Sequence, residues 1–309
     1  MVYDLAIIGG GPAGVAAGVY ASRKRLQTIF LTKDFSNQSM VSESIENWIG
    51  TTRISGMDLA KNLEAHLRAY AGNIVTIQTG EMVTKIKPEA AGTFLIEDDQ
   101  KNTFEARSVL IATGSHRRKL TVPGADVFEH KGVTYCATCD GPLFADKNVA
   151  VIGGGNAAFE SAAQLAAYGK HVTIIQRAPE FRADPVTIER VLKNPNVTGI
   201  TNTTLLEITG DKFVNGLVYE KTDTKEKVNL AVDGIFVEIG LIPTTYFVDG
   251  VVAMDEWHHI KVDPRTQRTN VKGIWAAGDC TDGLYHQNNI AVGDAVKALE
   301  DIYFYLKAS

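Results

Sequence analysis

Two glycine-rich turns, each set between an apolar strand and a helix of small residues and lying 144 residues apart (Gly9 to Gly153), predict an α/β chain of two Rossmann-like domains. The first turn is Gly9-Gly10-Gly11-Pro12-Ala13-Gly14, and the second is Gly153-Gly154-Gly155-Asn156-Ala157-Ala158. A late apolar strand at 273–277 runs into Gly278-Asp279 and a helix follows over about 290–306. With chain crossings near 115–120 and 240–247, the first domain is therefore discontinuous, built from both chain ends.

Each element follows from a local pattern. Residues 3–8, Tyr-Asp-Leu-Ala-Ile-Ile, read as a buried strand, followed by the first turn, a helix to about Ser22 and a strand at 28–31. The same order returns with a strand at 149–152, the second turn, a helix to Tyr168 stopped by Gly169, and a strand at 172–175. A repeat of that length means two domains, not a solenoid. Between the two units, apolar alternation at 75–77, 82–86, 93–96 and 108–111, ending in Ala112-Thr113-Gly114, is expected to complete the first sheet. Strands are expected near 205–208, 214–220 and 234–239, before a breaker at 240–243.

The chain's 309 residues suffice for two cores at roughly 150 residues each. Thirty-one basic residues against 36 acidic ones, net −5, leave no electrostatic footprint for nucleic acid or an anionic membrane. Three cysteines, Cys136, Cys139 and Cys280, are too few for a secreted disulfide framework, which points to a reducing compartment. The apolar start over 5–21 follows Asp4 rather than a basic segment and is interrupted by glycines, so it does not read as a leader. No other stretch is apolar for long enough to span a bilayer. The expectation is a soluble cytoplasmic protein with no nucleic-acid or membrane partner.

In each glycine-rich turn the first glycine makes the tight bend, the second lets the backbone approach a pyrophosphate, and the third allows close helix–strand packing. The helix N-terminus then stabilises the anion. Both turns sit between strand and helix, the context a dinucleotide demands, so the chain is expected to hold two dinucleotides and pass electrons between them. Twenty-one positions past the central glycines, where the adenosine ribose is met, stand Thr32 and Gln176, neither of them acidic. At the second site Arg177 and Arg182 follow, a pattern suited to a 2′-phosphate, against the plain alternative of solvated surface arginines. Cys136-Ala137-Thr138-Cys139-Asp140 reads as a redox dithiol; a zinc site would need a second matched ligand pair, which the sequence lacks, so no metal is expected. Asp140 could transfer protons or simply form a turn, and Cys280 reads as a small buried filler.

Taken in order, Gly9-x-Gly11-Pro12-Ala13-Gly14, Glu46-Asn47-Trp48, Ala112-Thr113-Gly114-Ser115, Tyr135-Cys136-Ala137-Thr138-Cys139-Asp140-Gly141, Gly153-x-Gly155-Asn156-x-Ala158 and Ala277-Gly278-Asp279 resemble the low-molecular-weight thioredoxin reductases over nearly the whole chain. A close cousin is the flavoprotein subunit of alkyl hydroperoxide reductase, similar over 139–144 and 178–180. The resemblance implies the three-layer ββα form of the FAD/NAD(P)-binding domain. It puts FAD in residues 1–115 and 248–309, NAD(P)H and the CxxC in 116–247, and makes the chain a homodimer. FAD would be met by Gly9, Gly11, Pro12, Ala13 and Gly14 at the pyrophosphate, and by Gln38, Asn47, Thr113, Gly114 and Gly278 elsewhere. Asp279 would meet the ribitol–phosphate region, and Gln287 and Asn288 the isoalloxazine. NADPH would be met by Gly153, Gly155, Asn156, Ala157, Ala158, Gln176, Arg177 and Arg182. Two departures stand out: the family's Gly-Gly-Gln reads Ser36-Asn37-Gln38, and its His-Arg-Arg reads Gln176-Arg177-Ala178. The second opens the donor to NADH or ferredoxin.

The resemblance implies a route from NADPH through FAD to the Cys136–Cys139 pair and on to a thioredoxin-like protein, with Cys139 facing the flavin, Cys136 attacking the substrate and Asp140 moving protons. Nicotinamide and dithiol compete for one flavin face, so one domain is expected to rotate about the two crossings. Three rivals stand beside this reading: an NADH-driven reductase for a peroxiredoxin, a ferredoxin-driven thioredoxin reductase, and a flavin- and NAD(P)-binding redox sensor without turnover.

Overall fold

The computed structural model describes every residue except 36, 37, 42–44, 46, 136, 308 and 309, and describes no side chain at 41, 138 or 139. The chain forms two compact units, Met1–His116 with Ile242–Ser309, and Arg117–Leu241.

The first unit opens with β1 (Val2–Tyr3), β2 (Leu5–Ile8), α1 (Pro12–Arg23), β3 (Thr28–Thr32), α2 (Gly56–Ala71) and β4 (Val75–Thr79). It continues through β5 (Val83–Pro88), β6 (Phe94–Asp98), β7 (Thr103–Ala106) and β8 (Val109–Ile111) to a crossing strand, β9 (Ser115–Arg117). The second unit contains β10 (Val133–Thr134), the one-turn α3 (Ala137–Asp140), β11 (Asn148–Ile152), α4 (Asn156–Leu165), β12 (His171–Ile175) and α5 (Pro185–Leu192). Then come β13 (Val197–Ile200), β14 (Thr203–Gly210), β15 (Val214–Lys221), β16 (Lys227–Leu230) and β17 (Gly234–Val237). The chain returns through β18 (Leu241–Pro243) to β19 (Ile274–Ala276) and the long α6 (Asn288–Lys307).

In the first unit the parallel sheet runs β19-β8-β2-β3-β4, and a second sheet runs β1-β7-β6-β5. The period-2 geometry of a strand explains the layering. Leu5 and Ile7 of β2 point into a core with Ala13, Val15 and Ala17 of α1 and Leu299 of α6. Their neighbours Ala6 and Ile8 point the other way, into a core with Ile86, Phe94 and Ile96 of the second sheet. The second unit repeats this plan with a parallel sheet β10-β17-β11-β12-β13 and an antiparallel sheet β14-β15-β16. Val149 and Val151 pack on Phe159 and Ala162 of α4, whereas Ala150 and Ile152 face Ile208 and Leu217. Both units are thus three-layer ββα Rossmann-like domains, the first interrupted in sequence by the second.

Two expectations are corrected. The strands over 82–106 do not complete the first parallel sheet, which takes only β4 and β8 from residues 75–111. Short turns join β5, β6 and β7, and a short turn can close only an antiparallel ladder, because a parallel pair needs a crossover. Residues 242–247, assigned above to the second domain, belong to the first unit, where Phe247 and Val248 are buried with Ile8 and Ile111.

Candidate functional site

Strand register lines up the site segments at the carboxyl ends of the parallel sheets, where open α/β sheets bind their ligands. In the first unit Ile8 is level with Ile111, and Ile111 with Ala276. The chain therefore leaves the sheet side by side at Gly9, at Ala112-Thr113-Gly114 and at Ala277-Gly278-Asp279. Gly9 has φ +119°, and a Cβ there would lie 2.2 Å from the Ala112 carbonyl oxygen. A Cβ on Gly14 would lie 1.8 Å from the Gly9 oxygen, so this helix packs against the strand end as only glycine permits. Gly11, in contrast, faces open space. It caps α1 with no side-chain hydrogen bond, Pro12 follows, and no acid stands in the first turn. A cradle with uncapped backbone N–H groups suits a pyrophosphate.

Gly278, at φ +77°, draws the end of β19 against two helix starts, since a Cβ on it would sit 3.2 Å from Ala291 of α6 and 3.4 Å from Ala13 of α1. Burial holds the Asp279 carboxyl above the usual carboxylate range, against the pull of His286. His286 itself keeps a buried Nε2 with no hydrogen-bond partner among the described residues. The loop residues named from the sequence gather on the start of α6. Asn47 Nδ2 donates to Gln287 Oε1 (3.4 Å), Asn289 Nδ2 donates to the Asn47 carbonyl (2.6 Å), and Ser39 Oγ donates to Asn288 Oδ1 (3.0 Å). Gln38 Nε2 reaches Ser115 Oγ at 2.8 Å, and Thr113 Oγ1 ties its turn to the Thr244 carbonyl at 2.7 Å. The open cradle, the orphaned imidazole nitrogen and the amide-rich rim fit a flavin dinucleotide. Glu46, Ser36 and Asn37 lie outside the described residues.

The second unit repeats the cradle. Ile152 is level with Ile175 and Val237, so Gly153, Gln176 and Glu238 follow at one edge. Gly153 has φ +141°, and a Cβ there would meet the Glu238 carbonyl oxygen at 2.1 Å, while Gly155 faces open space and caps α4 without a side chain. The third position is Ala158, fully buried, where the first unit has Gly14. Gln176 lies against the turn, its amide 2.6 Å from where a Cβ on Gly154 would be. The loop beyond it folds back: Arg182 N–H donates to the Gly154 carbonyl (2.7 Å), and Asp184 N–H to Asn156 Oδ1 (2.8 Å). The side chains of Arg177 and Arg182 are both exposed.

The strand that precedes the CxxC, β10, ends at the same edge. Thr134 of β10 is level with Phe236 of β17, and Val151 of β11 is level with Phe236 too. Ala137 is buried in one apolar cluster with Phe159, Ala162 and Leu165, so α3 is seated on the helix that opens from the second glycine-rich turn. Cys139 stands in α3, and Cys136 lies outside the described residues. Asp140 accepts a hydrogen bond from Thr134 Oγ1. Cys280 is fully buried, and burial pushes its thiol up to about 11, which suits filler and not chemistry. No cluster of three metal-ligating side chains exists among the described residues, and no helix among them is long and apolar enough to cross a membrane.

Sequence reasoning passed over Glu238. Burial raises its carboxyl; a hydrogen bond from Ser161 (2.7 Å) and the Arg117 guanidinium (3.4 Å) pull it back, and Glu160 adds to the rise. The available signal was one acid at the end of the apolar run Ile235-Phe236-Val237.

Residues 3–295 match the family described as pyridine nucleotide-disulphide oxidoreductase. Among solved structures, a thioredoxin reductase from Lactococcus lactis superposes with a TM-score of 0.82 at 34% identity, over 99% of this chain and 100% of that one. Among curated proteins, an NADH dehydrogenase of Bacillus subtilis is 39% identical over 304 residues, 98% of this chain and 58% of that protein. An Escherichia coli alkyl hydroperoxide reductase subunit is 40% identical over 307 residues, 98% of this chain and 58% of its own length. The chain thus spans under two thirds of these curated relatives. On these matches and the paired ββα domains, the chain belongs to the pyridine nucleotide-disulphide oxidoreductases, in their low-molecular-weight thioredoxin-reductase-like branch of flavin- and NAD(P)H-dependent proteins.

Proposed function

We propose that the chain is a disulfide reductase that takes electrons from NADPH, holds FAD in its first unit, and delivers the electrons through Cys136 and Cys139 to a thioredoxin-like protein. The observation that supports this reading is the seat of α3, the one-turn helix with Cys139 in its backbone, on α4, the helix that opens from the second glycine-rich turn. FAD, when bound, supplies the two-electron relay between a reduced nicotinamide and a disulfide. Gly9, Gly11, Pro12, Ala13 and Gly14 would hold its pyrophosphate. Asp279 would hold the ribitol side, and Gln38, Asn47, Thr113, Gly114, Gly278, Gln287 and Asn288 would surround the rest. In the second unit Gly153, Gly155, Asn156, Ala157 and Ala158 would hold NADPH, with Gln176 near the ribose and Arg177 and Arg182 at its 2′-phosphate.

Exchange with the partner is a pair of thiol–disulfide steps. Cys136 attacks one sulfur of the substrate disulfide as its proton passes to Asp140; the substrate S–S bond breaks and the departing sulfur is protonated. Cys139 then attacks Cys136, its proton leaves by the same route, and the second substrate sulfur departs as a thiol. The partner is a thioredoxin-like disulfide, the working form a homodimer, and the compartment the reducing cytoplasm, which suits a chain with three cysteines.

A second donor is favoured by one observation: Ala178 stands where the family pattern has an arginine. Anaerobic titration of the flavin-loaded protein with NADPH, NADH and reduced ferredoxin, followed by flavin bleaching, decides among the donors. We expect NADPH to bleach fastest. Replacing Arg177 with Ala should weaken NADPH use roughly tenfold to hundredfold, the worth of a charge-assisted phosphate bond, with little change for NADH. Equal, slow bleaching by both nucleotides with rapid bleaching by ferredoxin overturns the NADPH assignment.

A further inference from the structure

Asp140 is held by the sheet, not by the turn it belongs to. It precedes a short 3-10 turn, Gly141–Phe144, yet its side chain makes no capping hydrogen bond to that turn. An aspartate at the N-cap position of a turn usually accepts from the backbone of that turn. Here the carboxylate turns back six residues and accepts from Thr134 Oγ1 through Oδ2. Thr134 is buried, lies in the parallel sheet level with Phe236, and carries a β-branched side chain with little χ1 freedom. Its hydroxyl oxygen is therefore held in place, and toward an ionised carboxylate it can only donate. The other end of α3 is held as well. Tyr168 Oη donates to the Ala137 carbonyl (3.4 Å), and the ring fills the space beside Gly141, where a Cβ would fall 2.2 Å from Oη. Burial raises the Tyr168 phenol, so it stays a donor at neutral pH.

We infer that Thr134 is a positioning residue for dithiol exchange: by donating to Asp140 Oδ2 it leaves Oδ1 as the oxygen that takes and returns the thiol proton. This rests on the reductase reading above. A carboxyl group has two oxygens, and a donor fixed on one of them confines an acid proton to the other, so a rotating base becomes one of single orientation. The electron balance is that of the exchange itself. The Cys136–Cys139 dithiol is oxidised to a disulfide, the substrate disulfide is reduced to two thiols, and two protons pass between them, one per step, through Oδ1. Thr134 gives up no proton and forms no covalent bond.

The test separates the two halves of turnover in the flavin-loaded protein, by stopped flow. Thr134→Val keeps the shape and removes the hydroxyl. It should leave flavin reduction by NAD(P)H unchanged and slow reoxidation by an oxidised thioredoxin roughly tenfold to hundredfold. Thr134→Ser, which keeps the hydroxyl, should restore most of the rate. In a double-mutant cycle, adding Thr134→Val to Asp140→Asn should cost nothing further, because Thr134 acts only through that carboxylate. Thr134→Ala takes the place of Val in the same cycle if Val lowers flavin content. Wild-type reoxidation in the Val variant, a Ser variant as slow as Val, or additive losses in the cycle overturns the proposal. Cys136→Ser and Cys139→Ser run in parallel: full exchange in either sinks the reductase reading itself, whatever Thr134 does.

Discussion

Gly9 and Gly11 are two residues apart and do different work. A methyl group on Gly9 would be driven into the Ala112 carbonyl oxygen at 2.2 Å, from a backbone at φ +119° that L side chains rarely adopt. On Gly11, with φ −76°, it would meet nothing. Gly9→Ala should therefore cost about 3 kcal/mol or more of stability. Gly11→Ala should cost under about 1 kcal/mol while filling the cradle and lowering the flavin content of the purified protein. Thermal unfolding with and without added FAD, together with the flavin-to-protein ratio, distinguishes the two; equal loss of stability in both variants contradicts the assignment. Glu238 gives a pH-dependent expectation. Its folded value lies above the ordinary 4.5, chiefly because the carboxyl is buried. A raised carboxyl contributes stability that is complete below its unfolded value and is lost as pH rises through the folded value. Glu238→Gln should therefore gain stability relative to the parent as pH climbs from about 4.5 toward neutrality. The difference in thermal midpoint between the two proteins, measured across that range, checks the sign, and a difference that shrinks with rising pH contradicts it.

At the scale of elements, α2 shows what patterning alone leaves out. Over Gly56–Ala71 only Gly56, Leu59, Ala60, Leu67 and Ala71 are buried, and Lys61, Glu64, His66 and Arg68 are spread between them. That thin stripe is hard to tell from a polar loop. The cap was the better signal: Ser55 accepts from the Asp58 N–H (3.1 Å) and donates to Asp58 Oδ2 (2.7 Å). Ser55→Ala should lower stability by about 1 kcal/mol, read from a denaturant midpoint, and no change at all would deny the cap a role. The glycine-rich turns, their strands and the ends of α1 and α6 were legible because each couples an apolar run to a residue type with one physical use. The antiparallel sheet of β5–β7 was mistaken for part of the parallel one because alternation reports a half-buried strand and not its partner. Tyr168 and Glu238 were invisible for a related reason: each matters through a neighbour distant in sequence, and only the fold brings Glu238 to Ser161 or Tyr168 to Ala137; Thr134 lies only six residues from Asp140, but nothing in the sequence shows that the aspartate turns back to it.

For the whole molecule, one plan is used twice and diverges where the chemistry requires it. Both units present a glycine cradle and an uncapped helix start at the carboxyl edge of a parallel sheet. The first gathers the amides of Asn47, Gln287 and Asn288 at the start of α6. The second sets beside its cradle two exposed arginines and the helix that carries Cys139. On the proposed function, flavin retention falls to the first unit and disulfide exchange to the second, so the two should be separable by mutation. The most direct measurement is steady-state reduction of oxidised thioredoxin by Cys136→Ser and Cys139→Ser, with flavin content determined on the same samples. The account predicts that each variant keeps its FAD and loses disulfide reduction; undiminished thioredoxin reduction by either one would contradict it.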